Sequence, residues 1–331
     1  MTDLITICIP TYRRPTFLLQ SVYSCLVQDY RPLEIDISDN SPNPETEEWV
    51  KTVPLPEGVS IRYWRNPPST GPVESFNKLI NAAQGRRLVF MNDDDVLLPG
   101  AVAAMAEAFE MAPDVIVSYG REQIINTEGE VLHETTAQWE MKYRRESDQT
   151  GLRRDLLVCA FWQQISHVGF LILTEAARRV GFRDRSEVGL AVDTDFGIRL
   201  AQAYRGYAHV FIDSFTVQSR IGPSSLGRTS RDAAWKLYDS IRGIDNLSQE
   251  EALALDCLLR RLQPLALREY SLAHGRLAAL RLFLSRPYRS SGDLARWAYT
   301  LSLVMSPNLA WRIRHLYGRP WARAKEGFAG G

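Results

Sequence analysis

Three consecutive aspartates, Asp93-Asp94-Asp95, follow the apolar run Leu88-Val89-Phe90-Met91. If that run is a strand, residues two apart face the same side, so Asp93 and Asp95 are expected to point together into one crevice. Two carboxylates held close repel unless a proton or a cation lies between them. Oxygen-only ligands favour Mg2+ or Mn2+ over zinc. Such an ion would bind a diphosphate and stabilise the charge that develops as it leaves. An isolated Asp-x-Asp is more often a solvated turn before a helix, where acidic residues are welcome anyway. Its place at a strand end is what turns this one toward chemistry. A second acidic pair, Asp193 and Asp195, opens a helical pattern that runs from Phe196 to Ala203. Aspartate at an N-cap is routine. The expected division is therefore Asp195 as the cap and Asp193 as the reactive carboxylate.

Those groups need elements to hold them. Leu4 to Ile9 is a short β-branched run, Leu33 to Ser38 a second strand, Ile61 to Trp64 a third, Arg87 to Met91 a fourth and Val115 to Tyr119 a fifth. Between them, Phe17, Leu18, Val22, Cys25 and Leu26 recur at helical spacing, Val73 to Ala83 is a helix, and so is Gly100 to Met111. Strands alternating with helices through about the first 120 residues imply an α/β fold, a mostly parallel sheet covered on both faces. Further on, Gln123 to His133 reads as a hairpin around Thr127-Glu128-Gly129-Glu130, Phe170 to Leu173 as a strand, Glu175 to Val180 as a helix and His209 to Ile212 as a strand. Helical patterns dominate from Ala233, and Ser248 with Glu251 forms a capping box. In open parallel sheets ligands bind beyond the carboxyl ends of the strands. Pro10-Thr11-Tyr12-Arg13-Arg14, Ser38-Asp39-Asn40-Ser41, Arg65-Asn66 and Asn92 to Asp95 all stand at such ends, as a nucleotide pocket would need.

The chain of 331 residues carries 39 Lys+Arg and 39 Asp+Glu. That balance does not announce a nucleic-acid partner. It hides an asymmetry: from Leu258 onward there are 13 Lys/Arg against 3 Asp/Glu, so an acidic body precedes a basic tail. In the tail, Tyr288, Trp297, Trp311, Tyr317 and Trp321 are interleaved with arginines. That pattern suits an anionic membrane surface, an acidic partner, or a helical subdomain packed on the rest. The four cysteines, Cys8, Cys25, Cys159 and Cys257, form no close pair, which argues against a disulfide framework and against a zinc site. The first residues, MTDLITICIPTY, lack a basic region and break at Pro10, so no signal peptide is expected. No apolar run approaches about 18 residues, so no membrane span is expected.

The motifs ICIPTYRR (7–14), ISDNS (37–41), Arg65-Asn66 with Gly71, FMNDDD (90–95) with Pro99, and DTDFGIRL (193–200) occur in this order. Together they resemble a family 2 glycosyltransferase with a GT-A fold, over roughly residues 4 to 225. The resemblance implies a Rossmann-like mixed sheet with helices on both faces. It implies a nucleotide-sugar-binding and catalytic domain at 1–230, followed by a helical, basic region at 231–331. It also implies inverting transfer of a single sugar from a UDP-sugar, with Mn2+ or Mg2+, to an acceptor sugar, a lipid-linked sugar or a small molecule. Residue by residue, Thr11 and Tyr12 would contact the base and Asp39 would accept the uracil N3–H. Arg65 would lie near the base or diphosphate, Asp93 would hold the ribose, and Asp95 or Asp94 the metal. Pro10, Arg14 and Asn77 complete the donor-binding set. Asp193 matches the catalytic base. His167, Trp162 and Arg220 would be acceptor or phosphate contacts; the alternatives are a structural histidine, a core tryptophan, which is the commoner role for that residue, and a solvated loop arginine.

Four departures qualify the match: Ser38 stands where the family usually has Asp, Val192 where it has Glu, Arg220-Ile221-Gly222 lacks a histidine, and the Gln-x-x-Arg-Trp motif of processive polymerases is absent. The implied setting is polysaccharide, glycolipid or glycoconjugate synthesis in a bacterial cytoplasm, peripheral to the inner membrane, with homo-oligomerisation open. One rival is a sugar-nucleotide nucleotidyltransferase, which would need a glycine-rich triphosphate loop where Pro10-Thr11-Tyr12 stands. The other is a non-catalytic nucleotide-sugar-binding protein, against which the intact aspartates count.

Overall fold

The computed structural model describes residues 2–67, 70–165, 168–222, 233–284, 301–302 and 304–306. The chain divides into two compact units, residues 1–186 with 192–228, and residues 187–191 with 229–331.

In the first unit, β1 (Ile5–Thr11) runs into α1 (Pro15–Leu26), then β2 (Leu33–Asp39), α2 (Glu45–Val50), β3 (Val59–Arg65) and α3 (Pro72–Ala82). Next come β4 (Arg87–Phe90), the two-residue β5 (Val96–Leu97), α4 (Ala101–Glu107), β6 (Val115–Ile125) and α5 (His133–Tyr143). They are followed by β7 (Gly151–Arg153), α6 (Leu156–Phe161), β8 (Phe170–Leu173), α7 (Thr174–Val180), the single turn α8 (Arg185–Val188), α9 (Val192–Ala203) and β9 (Ala208–Arg220). Among the described residues the strands make one sheet in the order β3-β2-β1-β4-β8-β6-β9-β5, with β7 on β9. The β3-β2-β1-β4 half is parallel, so the carboxyl ends of four strands share one edge. β8 runs against both β4 and β6. β6 and β9 pair in parallel over ten residues, so the sheet is mostly parallel by paired residues and is mixed through β8, β5 and β7.

Local chemistry accounts for these elements. Ile5, Ile7 and Ile9 alternate along β1 onto one face, where Leu18, Val22, Cys25 and Leu26 of α1 meet them at helical spacing. Pro15 opens α1 at a position whose N–H would have no intrahelical partner. β1 to β4 and α3 lie within two residues of their expected limits. Farther along, patterning was a poorer guide. The hairpin expected at 123–133 is a tight turn at Asn126–Glu130 closed by a single bridge, Ile125 to Val131, and the chain then enters α5. β9 continues to Arg220 because β6 offers it a partner along nearly its whole length. Gly169, with φ +68, enters β8 where a Cβ would meet Val217 at 2.6 Å, so only glycine fits there.

A cluster of rings lies on the face of β4. Phe90 is buried, and its centroid is 5.8 Å from Phe76, 5.3 Å from Phe170, 5.4 Å from Phe182 and 5.8 Å from Phe196. Phe182 and Phe196 stack at 4.5 Å.

The second unit is helical: α10 (Ala233–Ile241), α11 (Gln249–His274) and α12 (Arg276–Leu284). Ser248 and Glu251 form the expected capping box. Glu269, buried, accepts the backbone N–H groups of Ala234 and Trp235 at 2.8 and 3.2 Å. The tail aromatics Tyr288, Trp297, Trp311, Tyr317 and Trp321 lie outside the described residues. Among the described residues no helix is long and apolar enough to cross a membrane.

Truncating Phe90 to Ala removes the ring that all four others touch. Its expected cost is about 3–5 kcal/mol of unfolding free energy, read as a lower urea midpoint. A loss below about 0.5 kcal/mol, the scale of an ordinary surface change, would show that the cluster repacks without it.

Candidate active site

The strand-end segments meet at the edge of β3-β2-β1-β4. Thr11 closes β1 and donates its hydroxyl to Asp93 Oδ2 at 2.8 Å; the Tyr12 N–H reaches the same oxygen at 3.3 Å. The Arg14 guanidinium spans Asp94 Oδ2 at 2.7 Å and Asp93 Oδ1 at 3.4 Å. Asp93 is 6% exposed, while the Asp94 side chain is 22% exposed. Burial, then the Asp94 charge, pushes the Asp93 carboxyl up to about 6, against the lowering pull of Thr11, Arg14 and Tyr12.

Asp95 does not join Asp93. β4 ends at Phe90 and the chain turns through Asp93 and Asp94, so the two-residue alternation of a strand no longer applies. Asp95 is 2% exposed. Its Oδ1 accepts the Arg220 N–H at 2.9 Å and its Oδ2 accepts the Asn92 side-chain amide at 2.9 Å. It anchors the turn to the end of β9. Arg220 is likewise committed. Its guanidinium donates to Asp94 O, Asn126 O, Thr127 O and Gln20 Oε1, and lies 4.8 Å from the Phe17 ring centre. A clamp tying the hairpin turn, α1 and the aspartate turn together takes the place of the expected phosphate contact.

The base side of the site is built from β2 and β3. Asp39 is buried; its carboxylate accepts the Ser41 N–H at 2.7 Å and the Tyr63 hydroxyl at 2.9 Å. Burial and then the Asp39 bond push the Tyr63 phenol up. Asp39 thus fixes the 39–41 turn, and Ser41 in turn accepts the Arg13 N–H at 2.8 Å. That bond holds Arg13 at φ +54, with its guanidinium 5.1 Å from the ring of Tyr12, which is 52% exposed. A cleft of about 350 Å3, lined by Arg13, Pro15, Ser41, Pro42, Asn43, Glu45 and Thr46, opens between these loops. Pro10 pairs in register with Ser38 inside the sheet. Arg65 is exposed and donates to Pro42 O.

Sequence reasoning did not single out Tyr63, Ser41 or Lys78. The Lys78 ammonium meets Asn66 Oδ1 at 2.6 Å, in a network with Ser38, Asn40 and Ser75. Lys78 is the one basic residue of α3, a signal visible in the sequence. Asn77 is turned elsewhere: its amide makes two 2.8 Å bonds with the backbone of Phe182, a strut between α3 and the 181–182 loop.

Helix α9 starts at Val192, three residues ahead of Asp195. Asp195 is therefore not the cap. It is 2% exposed, takes Arg199 Nε at 2.7 Å from the next turn and both forks of Arg183, and Arg199 continues to the carbonyls of Val180 and Gly181. Asp193 is half-buried in the first turn. Beside it, Thr194 Oγ1 accepts the Gln163 amide at 2.7 Å. Trp162 ends α6 half-buried under the Arg144 guanidinium, 5.0 Å from its ring centre. His167 lies outside the described residues.

Residues 6–166 match the sequence model of Glycosyl transferase family 2. Over this segment the chain is similar to glycosyl transferase family 2. A relative, the GalNAc(5)-diNAcBac-PP-undecaprenol beta-1,3-glucosyltransferase of Campylobacter jejuni, is 29% identical over 104 residues, 31% of this chain and 33% of that protein. The chain spans between 33% and 55% of the length of three curated relatives it matches. The fold is that of GT-A glycosyltransferases. Staphylococcus aureus TarS 1-349 in complex with UDP-GlcNAc superposes with TM-score 0.56 at 15% identity, covering 92% of this chain and 81% of that one. The mannosyltransferase PcManGT of Pyrobaculum calidifontis, in complex with GDP-Man and Mn2+, superposes with TM-score 0.56 at 16% identity, covering 96% and 88%. The family 2 segment contains β1 to β4, the Asp93–Asp95 turn and α6, and it ends before α9.

The raised Asp93 pKa has a consequence for stability. A carboxyl that holds its proton more tightly when folded makes the native state lose stability as pH rises from about 4 through about 6. Asp93→Asn lacks this dependence. Relative to that variant, the wild type is expected to lose up to ~3 kcal/mol between pH 4 and 7. Urea unfolding at both pH values measures it; a difference that stays flat would mean the carboxyl is not desolvated.

Proposed function

We propose that this protein is a family 2 glycosyltransferase that moves one sugar from a UDP-sugar to an acceptor hydroxyl with inversion at the anomeric carbon. The observation that carries the reading is the anionic pair Asp93–Asp94 at the strand edge, beside the exposed Tyr12 ring and the turn fixed by Asp39. Tyr12 offers a face on which a base can stack. The uracil assignment rests on Asp39, whose carboxylate lies buried against Ser41 and Tyr63 and would accept the N3–H only where the base displaces what covers it. The two neighbouring structures hold donors with different bases, UDP-GlcNAc in one and GDP-Man in the other. Calorimetry with UDP and GDP therefore tests the assignment directly, with UDP expected to bind at least tenfold tighter.

The donor set at the edge is carboxylate oxygen, which suits Mg2+ or Mn2+. Asp94, the more exposed of the pair, would hold the ion, with Asp93 next to it; Asp95 is spent on Arg220 and Asn92. When bound, the ion supplies charge stabilisation to the departing diphosphate. Arg14, already against both carboxylates, supplies a second positive charge at the same place.

Asp193 accepts the proton of the acceptor hydroxyl while that oxygen bonds to the anomeric carbon and the bond to the diphosphate breaks. One displacement inverts the centre, and no sugar is held covalently by the protein. The acceptor is a sugar of a polysaccharide, glycolipid or glycoconjugate. The basic residues from Leu258 onward suit one that is linked to lipid at an anionic surface.

Asp193→Asn is expected to lower the turnover ~10²–10⁴-fold while UDP affinity stays within a factor of about two, a span of roughly 0.4 kcal/mol. Near-wild-type transfer by this variant would remove Asp193 from the mechanism. The metal assignment separates two neighbours. Chelation by EDTA should stop transfer and Mn2+ restore it. Asp94→Ala should lose that response without a change in unfolding midpoint, and Asp95→Ala should lower the midpoint. The reverse pattern would return the metal to Asp95.

A further inference from the structure

Away from the strand edge, a second set of metal-binding side chains converges inside the first unit. Asp155 stands just before α6, and Cys159 lies one helical turn along it. His209 lies on β9, paired in register with Arg153 of β7. The Cys159 Sγ to His209 Nε2 distance is 3.3 Å, His209 Nε2 to Asp155 Oδ1 is 3.5 Å, and Cys159 Sγ to Asp155 Oδ1 is 3.9 Å. Cys159 and His209 are fully buried, and the Asp155 side chain is 23% exposed.

Sγ, Nε2 and the carboxylate oxygen can each offer a lone pair to a cation once the thiol is deprotonated and the imidazole is in its Nδ1–H tautomer. The imidazole–carboxylate distance of 3.5 Å is long for a hydrogen bond. The edges do fit a shared cation. Three atoms at these separations lie on a circle of radius about 2.1 Å, against roughly 2.0–2.1 Å for Zn–N, 2.0–2.2 Å for Zn–O and 2.3 Å for Zn–S. We propose that Asp155, Cys159 and His209 bind a zinc ion.

Sulfur and imidazole ligands select zinc over the hard cations suited to Asp93 and Asp94. Binding releases the thiol proton to solvent, and the thiolate becomes the ligand. Arg153 donates to both oxygens of Asp155 and so orients the carboxylate from outside. Tyr119 lies parallel to the imidazole, with ring centres 6.2 Å apart. The ion would fasten the start of α6 to β9, with Trp162 and Gln163 at the other end of that helix. The spacing of Asp155 and Cys159 is visible in the sequence, but a cysteine without a nearby cysteine gave no zinc signal, and His209 arrives only through strand pairing.

The test uses the full chain. Purified protein should carry about one zinc per chain by elemental analysis. After demetallation, Co2+ should give a thiolate-to-cobalt charge-transfer band, which an oxygen-only site cannot produce. Cys159→Ser should remove the band and most of the zinc, whereas Asp94→Asn should leave both. X-ray absorption on the wild-type zinc protein should find one sulfur at about 2.3 Å among nitrogen and oxygen neighbours; this arm needs no variant and so survives a Cys159→Ser that fails to fold. Wild-type protein with less than a tenth of an equivalent of zinc and no cobalt band overturns the proposal. So does a zinc shell without sulfur, or a band that persists in Cys159→Ser.

Discussion

Phe90 sits three residues before Asp93, and Phe196 sits three residues after Asp193. Their rings are 5.8 Å apart in one buried cluster. This contact is what gives two carboxylates a hundred residues apart in sequence a fixed relation in space. Phe76, Phe170 and Phe182 complete the cluster, so α3, β8 and the 181–182 loop share in holding that relation. Interiors of this kind are close-packed, and a shift of one ring must be absorbed by its neighbours. The polar edge can therefore place charge where it would otherwise be unstable.

The charge at that edge is costly. Asp93 is buried against Asp94, and the protein offsets the repulsion with Thr11, the Tyr12 N–H and the Arg14 guanidinium. Most of the surrounding polar groups are occupied in turning the chain. Asp95 and Arg220 close one side, Asp39 with Ser41 and Tyr63 the other, and Asp195 with Arg183 and Arg199 secures α9. A buried charge must be paired or neutralised, and in this protein each pairing also fixes a loop. At the strand edge the Asp94 carboxylate, the Tyr12 ring and the cleft beside Arg13 stay accessible, and Asp193 stays half-buried in the first turn of α9.

The motifs up to Asp95 were legible because each follows a short strand with its own local signature. Ile5, Ile7 and Ile9 alternate, and Pro15 and Gly71 mark helix starts. Legibility fell where a residue's role depends on a distant partner. Asp95 and Asp93 look equivalent as letters, yet the partner of Asp95 is the backbone of Arg220. Asp195 looks like a cap, yet Arg183 and Arg199 take it. Asn77 and Arg220 bear groups that could serve a nucleotide, and both are consumed by backbone of other segments. The extension of β9, the helix α5 and the cluster of Asp155, Cys159 and His209 share that character.

The sequence by itself determined the fold class and the family resemblance, and it pointed to the strand edge as the place for a site. Those follow from local periodicity and from the rule that parallel strands present their carboxyl ends together. The tertiary structure decided which of the candidate side chains remain available. That outcome depends on which donor reaches each buried acceptor, and burial makes each such pairing exclusive. Pairings of this kind are set by strand register and ring packing between segments up to 200 residues apart, as Arg220 and Gln20 are, and no local pattern encodes them.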